Sequence, residues 1–236
     1  MPGDAVCHPG GPGNRWRVQL VTLPGVFAPI SDSRMLADVL RAETLSPRSS
    51  VLDVCTGSGL LALTAATRGV RNVTAVDVSR RSVMTVWLNA RLNGLRIRAL
   101  RGDLFEPVAG ERFDVIVSNP PYVPAATDEL PTRGPARAWD AGRDGRRVLD
   151  RLCAEAPRHL KPGGRLLVTH SSLLGLDETR NLLAEHGLQV DVPIRRRGPL
   201  GPLMSGRREH LESVGLLQPG QPDEEVFVVR ARKPVD

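Results

Sequence analysis

The sequence has few cysteines and no clustered metal ligands, which excludes two classes of small domain. Its three cysteines, Cys7, Cys55 and Cys153, stand far apart, and no Cys-x-x-Cys pair occurs. Disulfide frameworks and zinc knuckles require closely spaced cysteines, and the five histidines lack metal-ligand spacing as well. We therefore expect no metal and a reducing, cytoplasmic location.

Aromatic residues are also scarce, at 3% of the chain. So few rings argue against a base-stacking platform for single-stranded nucleic acid. The 32 basic residues outnumber 26 acidic ones and include only two lysines. This excess suits a phosphate-rich partner, although a coding bias that writes arginine for lysine is the simpler explanation. No apolar run approaches the roughly 18 residues of a membrane-spanning helix, so no membrane is expected.

The 236 residues correspond to between one and two domains. Residues 1–17 are rich in glycine and proline and lack an apolar block, which predicts a flexible leader and not a secretory signal. Because no internal repeat and no sign of a second domain follows, residues 18–236 are predicted to form a single domain. We also expect the protein to be a monomer.

Short apolar runs alternate with helical patterns, which predicts an α/β fold with helices on both faces of a mostly parallel sheet of seven strands. The last two strand patterns have no helix between them, so we expect an antiparallel pair at one edge. The predicted strands are 50–55, 72–78, 96–103, 113–119, 164–170, 188–194 and 224–231. The predicted helices are 33–42, 60–69, 79–93, 143–159 and 177–186.

Two glycines directly follow the first predicted strand. Gly57 and Gly59 permit a tight turn and a close approach of ligand to backbone, and the next helix offers free N–H groups. Asp77 ends the second strand, where a carboxylate accepts hydrogen bonds from ribose hydroxyls. The spelling Gly57-x-Gly59-x-x-Ala62 also satisfies the dinucleotide fingerprint, so the glycines alone leave two cofactors open.

Asp53 favours one of these cofactors. It lies in the first strand, close before the glycines, and we expect its carboxylate at the mouth of the loop. There it would repel a pyrophosphate and attract the amino group of S-adenosylmethionine, unless it is a buried acid bonded to its own loop. Asp103 and Leu104 end the third strand, where an acid can accept from an adenine amino group and an apolar side chain can pack on the ring.

The tetrapeptide Asn119-Pro120-Pro121-Tyr122 follows the fourth strand and is the most specific signal in the chain. Its two prolines fix the backbone and remove two N–H donors. The Asn119 side-chain oxygen and the Pro120 carbonyl could hold both hydrogens of a planar NH₂ group, on which the Tyr122 ring could stack. Holding those hydrogens while the nitrogen pyramidalises favours the transition state.

These motifs resemble the class I methyltransferases that act on planar amide or exocyclic nitrogens. The segments VLDVCTGSG (51–59), AVDVS (75–79), Asp103-Leu104 and NPPY (119–122) carry the likeness. More narrowly, the chain is similar to HemK-type enzymes, which methylate the glutamine of the Gly-Gly-Gln motif in class I release factors. The similarity covers about residues 26–232 and fits the short form without an N-terminal helical domain.

The resemblance implies a Rossmann-like methyltransferase fold and a role for each matching residue. The implied S-adenosylmethionine contacts are Ser33, Asp53, Cys55, Thr56, Gly57, Gly59, Asp77, Val78, Asp103, Leu104 and Asn119. The implied catalytic residues are Asn119, Pro120, Pro121 and Tyr122. One departure is Cys55, which stands where many methyltransferases have their first glycine; we expect its thiol to be a buried filler.

The acceptor and the partners stay open at this point. The resemblance implies a release factor as substrate and, by analogy with short eukaryotic relatives, a small zinc-binding activator protein. Methylation of an exocyclic amine on RNA, DNA or a metabolite is the alternative, and a non-enzymatic role as a cofactor-binding partner is a third hypothesis. The loop 194–212 carries five arginines, which suit either an RNA-bearing partner or a solvated edge.

Overall fold

The computed structural model of the protein describes residues 18–235, so the predicted leader 1–17 lies outside the described residues. Seven strands form one sheet in the order β3-β2-β1-β4-β5-β7-β6. The strands are β1 Ser50–Val54, β2 Asn72–Asp77, β3 Arg98–Arg101, β4 Phe113–Ser118, β5 Leu160–Ser171, β6 Gln189–Pro199 and β7 Asp223–Arg232. The α-helices are α1 Ser31–Ala42, α2 Leu60–Thr67, α3 Arg80–Leu92, α4 Arg147–Glu155, α5 Leu176–Glu185, α6 Pro202–Ser205 and α7 Arg208–Ser213.

The central strands β1 and β4 are almost completely buried, because helices cover both faces of the sheet. Successive residues of a strand point to opposite faces, so each strand contributes to two separate cores. Leu52 and Ile116 belong to one apolar cluster, while Val51 and Val115 belong to the other, which also contains the buried face of α1. None of the helices in the described part of the chain has the length and apolar character needed to cross a bilayer.

The predicted fold class is confirmed. Strands β1 to β5 pair in parallel, and β7 lies antiparallel between β5 and the outermost strand β6. The expected antiparallel pairing of the last two strands is therefore correct.

Two expectations about local structure are wrong. The helix predicted over 143–159 is restricted to α4 and a following 3₁₀ turn, because Gly142 and Gly145 adopt positive φ angles of 87° and 73° ahead of it. The predicted loop 194–212 is not a loop throughout. Its first arginines extend β6, which pairs with β7 as far as Pro199, and its remainder contains α6 and α7.

The segment that precedes α1 is fastened to α3 by two asparagines. The side chain of Asn89, which is fully buried, accepts from the Val21 N–H and donates to the Val21 carbonyl, each at 2.8 Å. The same amide nitrogen donates to the carbonyl of Ser58, at 2.9 Å. Asn93 bonds both backbone groups of Gln19 in the same manner. Asn89 thus joins the N-terminal segment, α3 and the glycine loop.

Candidate active site

A cavity of about 440 Å³ opens at the carboxyl ends of the parallel strands, where ligands of open α/β sheets bind. Ten of the sequence-predicted site residues line it: Ser33, Cys55, Thr56, Gly57, Asp77, Val78, Asp103, Leu104, Asn119 and Pro121. Four do not line it: Asp53, Gly59, Pro120 and Tyr122. The structure therefore brings both motif groups to one cavity and leaves four of their members outside its lining.

The glycine loop owes its shape to positive φ angles. Gly59 adopts φ 86° directly before α2, and a Cβ atom there would lie 3.0 Å from the Val86 side chain of α3. Cys55 also has a positive φ, 58°, which explains why glycine suits this position. Burial raises the pKa of the Cys55 thiol, and the nearby Asp77 carboxylate raises it further. A raised pKa favours the protonated thiol over the thiolate. The side chain is half-buried and lines the cavity, so it is less enclosed than the predicted filler.

Asp53 does not lie where the sequence placed it. Its side chain is fully buried beneath the loop, where one carboxylate oxygen accepts from the Thr56 hydroxyl at 2.6 Å and from the Ala62 N–H at 3.0 Å. The expected position at the loop mouth is wrong because Asp53 shares a strand face with Val51, under α1 and α2. Burial raises the Asp53 pKa to about 7, and its other oxygen is buried without a partner.

Asp77 and Asp103 bring two carboxylates to the cavity. Asp77 accepts from the N–H groups of Gly57 at 2.9 Å and Ser79 at 2.8 Å, so it fixes the loop from below. Burial raises the pKa of Asp77, against the effect of these hydrogen bonds. Asp103 forms a 2.7 Å ion pair with Arg151, which also lines the cavity. Leu104 is buried beside it.

Asn119 presents an unsatisfied acceptor at the cavity. Its side-chain nitrogen donates to the Ser33 hydroxyl at 2.9 Å, which fixes the orientation of the amide. Its oxygen Oδ1 is buried and has no hydrogen-bond partner. A buried acceptor without a partner costs free energy, so this oxygen is suited to a donor supplied by a ligand.

The ring of Tyr122 is held behind the wall and not across the cavity. Its hydroxyl donates to the Asp32 carboxylate, and burial with this carboxylate raises the Tyr122 pKa well above its usual value. The expectation that the ring stacks on the acceptor group is therefore not met in this structure, in which Tyr122 does not line the cavity. The Asp32 contact was missed because 90 positions separate the two residues.

The wall facing the glycine loop comes from the segment 130–140, which sequence reasoning largely missed. Asp140 lines the cavity and forms a 2.5 Å ion pair with Arg207, which also donates to the Pro124 carbonyl. Arg207 belongs to the connection between β6 and β7, so that connection supports the wall. Trp139 contacts Phe27 with 6.2 Å between ring centroids.

The fold and the cavity define the chain as a methyltransferase. Residues 17–132 match the family described as "Methyltransferase small domain". A Methanocaldococcus jannaschii protein named as a protein N5-glutamine methyltransferase is 37% identical over 187 residues, which cover 79% of this chain and 93% of that protein. The release factor glutamine methyltransferase of Xylella fastidiosa is 37% identical over 200 residues, 79% of this chain and 72% of the relative. The chain belongs to the HemK-type family of protein glutamine methyltransferases.

A solved structure agrees on the fold. The E. cuniculi Mtq2–Trm112 complex, responsible for methylation of the eRF1 translation termination factor, superposes with a TM-score of 0.60 at 24% identity. The match covers 89% of this chain and 99% of that one.

Proposed function

We propose that the protein transfers a methyl group from S-adenosylmethionine to the side-chain amide nitrogen of a glutamine in a protein, with a class I release factor as the acceptor. The observation that carries this proposal is the Asn119 side chain. Its nitrogen is engaged by Ser33, so its buried oxygen is the atom left to accept a hydrogen bond. A planar NH₂ group is the donor that fits.

The residues around the cavity suit S-adenosylmethionine, which when bound supplies an electrophilic methyl group on a sulfonium. Each carboxylate oxygen of Asp77 accepts one backbone N–H, from Gly57 or Ser79, and can accept a further hydrogen bond. In this proposal those further bonds come from the ribose hydroxyls. Asp103 accepts from the adenine amino group, and Leu104 packs on the ring. The loop from Cys55 to Gly59 holds the amino acid moiety, with Ser33 and Val78 at the flanks.

Asp53 acts through the loop in this proposal. Its bonds to Thr56 and Ala62 fix the backbone on which the cofactor rests. Its other oxygen is buried without a partner and, when the acid is ionised, would add negative potential beneath the loop. No general base is required before transfer, because the amide nitrogen becomes acidic once it is methylated.

The tetrapeptide binds and orients the acceptor amide for methyl transfer. Asn119 accepts one amide hydrogen and the Pro120 carbonyl accepts the other, while Pro121 forms the adjoining wall. Tyr122 keeps the tetrapeptide in place. Holding both hydrogens while the nitrogen lone pair leaves conjugation stabilises the transition state more than the ground state.

Transfer of radiolabelled methyl groups tests the acceptor. The purified protein is incubated with labelled S-adenosylmethionine and, separately, release factor, ribosomal RNA, transfer RNA and DNA. We expect label in the release factor and none in a release factor whose Gly-Gly-Gln glutamine is replaced by alanine. Label in nucleic acid alone would overturn the proposed acceptor.

The Asn119→Ala variant tests the mechanism in the same assay. We expect transfer to fall at least about 100-fold, as for loss of a preorganised transition-state group. Asn181→Ala, at an exposed position of α5, is the matched control and should retain the wild-type rate. Wild-type transfer by Asn119→Ala would rule out the proposed role of this amide.

We further propose that the chain acts as a monomer, since one chain contributes every residue named at the cavity. Light scattering of the purified protein at assay concentration tests this. Rate measurements with and without a small zinc-binding partner would show whether transfer needs an activator.

A further inference from the structure

A second concave surface lies at the amino ends of the parallel strands, opposite the active-site cavity at their carboxyl ends. This surface, which we call the basic groove, has a volume of about 690 Å³ and includes Ser50, Asn72, Arg98 and Phe113, the first residues of β1 to β4. Its cationic side chains are Arg71, Arg91, Arg96, Arg98, Arg112 and Lys161. A ligand in the basic groove would leave the active-site cavity open.

Positive charge in the basic groove is only partly balanced. Glu111, the one carboxylate among its lining residues, forms a 2.5 Å ion pair with Arg98. Lys161 pairs with Asp114 at 2.8 Å. The four remaining arginines form no ion pair with any residue of 18–235, and all are exposed: Arg71, Arg91, Arg96 and Arg112. The lining residues thus include six cationic side chains and one carboxylate.

An exposed aromatic ring lies among these charges. Trp87 on α3 is 52% exposed, and the guanidinium carbon of Arg91 lies 4.8 Å from its ring centroid. This cation–π contact holds Arg91 against the ring. An exposed indole on a positively charged track is the arrangement on which nucleic acid bases stack while their phosphates are neutralised.

We propose that the basic groove binds the phosphate backbone of single-stranded or looped RNA. Arg71, Arg96 and Arg112 neutralise phosphates, and Trp87 with Arg91 receives a base. The concentration of unbalanced arginines beside one exposed ring favours RNA over an acidic protein surface, which would need no aromatic platform. This proposal goes beyond the proposed methylation and does not depend on it.

Fluorescence anisotropy with a labelled 12-nucleotide oligouridylate tests the proposal. Three neutralised phosphates on a single strand give a salt slope of about −2.1, so affinity should fall roughly 20-fold between 50 and 200 mM salt. Loss of stacking in Trp87→Leu should weaken binding at least about fivefold.

Charge reversal locates the binding surface. We expect the triple variant Arg71→Glu, Arg96→Glu and Arg112→Glu to weaken RNA binding at least about 50-fold. The matched control is the triple variant Arg195→Glu, Arg196→Glu and Arg197→Glu, which makes the same charge change on exposed residues of the outer strand β6. Because the two surfaces are distinct and salt screens charges beyond about 8 Å, the control should stay within about threefold of wild type.

Three outcomes would overturn the proposal: no RNA binding at 50 mM salt, equal losses in both triple variants, or displacement of RNA by a polyglutamate peptide of equal charge at equal concentration. Far-UV circular dichroism checks that each variant is folded. Methyl transfer to the protein acceptor should remain at the wild-type rate in the groove variant. Failure of RNA binding is thereby distinguished from failure of the proposed methylation.

Discussion

The Tyr122 hydroxyl donates a hydrogen bond to the Asp32 carboxylate, so the first turn of α1 holds the last residue of the tetrapeptide 119–122. The next residue of that turn, Ser33, accepts from the side chain of Asn119, the first residue of the tetrapeptide. Two neighbouring residues of one helix therefore fix both ends of the tetrapeptide. The orientation of the acceptor oxygen depends on where α1 is packed.

Removing the Tyr122 hydroxyl should impair catalysis more than cofactor binding. Tyr122→Phe leaves the Asp32 carboxylate without its donor and frees one end of the tetrapeptide, and small misplacements of reacting groups cost about 100-fold in rate. We expect kcat to fall roughly 10- to 100-fold, with the KM for S-adenosylmethionine within about twofold. Steady-state kinetics measures both. Asp38→Asn, on the exposed side of α1, is the control. An unchanged kcat in Tyr122→Phe would show that the Tyr122–Asp32 bond does not position the tetrapeptide.

Alanine at Gly59 and Gly69 should separate steric crowding from backbone strain. The two glycines have nearly equal φ angles, 86° and 88°, but a Cβ at Gly59 would meet Val86 at 3.0 Å, whereas nothing lies within 4 Å at Gly69. Gly69→Ala should lower the free energy of unfolding by about 1–2 kcal/mol through the left-handed backbone alone. Gly59→Ala should cost about 1–3 kcal/mol more through crowding. Urea denaturation measures both, and equal losses would show that the Val86 contact is unimportant.

Asp53 should make stability depend on pH. Its pKa is about 7 in the folded protein and about 3.9 when unfolded, so between these values the folded state keeps a proton that the unfolded state releases. Stability contributed by the neutral acid is therefore present below about pH 4 and is lost as the pH rises to about 7. From pH 5 to pH 8 this loss is on the order of 2–3 kcal/mol.

The Asp53→Asn variant checks this linkage, because an amide has no proton to release in this range. We expect the free energy of unfolding of the variant to rise relative to wild type by that amount between pH 5 and pH 8. Urea denaturation at unit pH intervals gives the comparison, with Asp38→Asn as a surface control. Parallel curves for wild type and Asp53→Asn would show that Asp53 does not titrate in this range.

Asn89→Ala should destabilise the fold and weaken cofactor binding together. The substitution leaves the buried Ser58 carbonyl without this partner, which costs about 1–3 kcal/mol, and also removes the two part-buried bonds to the Val21 backbone. We expect a loss of about 3 kcal/mol in unfolding free energy and, because Ser58 belongs to the glycine loop, weaker S-adenosylmethionine binding by calorimetry. Asn181→Ala should change neither. Wild-type cofactor affinity in folded Asn89→Ala would disprove the link to the loop.

The sequence predicted the parts of the site that local patterns encode. Gly57 and Asn119 follow buried strands and Asp77 ends one, and parallel strands bring their carboxyl ends together on one side of the sheet. The orientation of Asp53 was also within reach, because residues 51 and 53 share one face of β1 and Val51 is core.

Contacts between distant segments could not be predicted in this way. Tyr122 meets Asp32 across 90 positions and Arg207 meets Asp140 across 67, and neither pair leaves a periodic or spacing signal. Such pairs depend on how whole elements pack, which a single sequence does not display. The predicted start of the helix at residue 143 was wrong for a related reason. The backbone at Gly145 lies close to the Tyr122 carbonyl, and this is a tertiary contact that the local pattern does not show.

Arg207 connects the segment between β6 and β7 to a wall of the cavity. The connection between β6 and β7 reaches Asp140 and Pro124 from the far side of the sheet, while the glycine loop is fixed independently from β1, β2 and α3. A change in the length or composition of that connection would therefore reshape the cavity without replacing any residue that lines it.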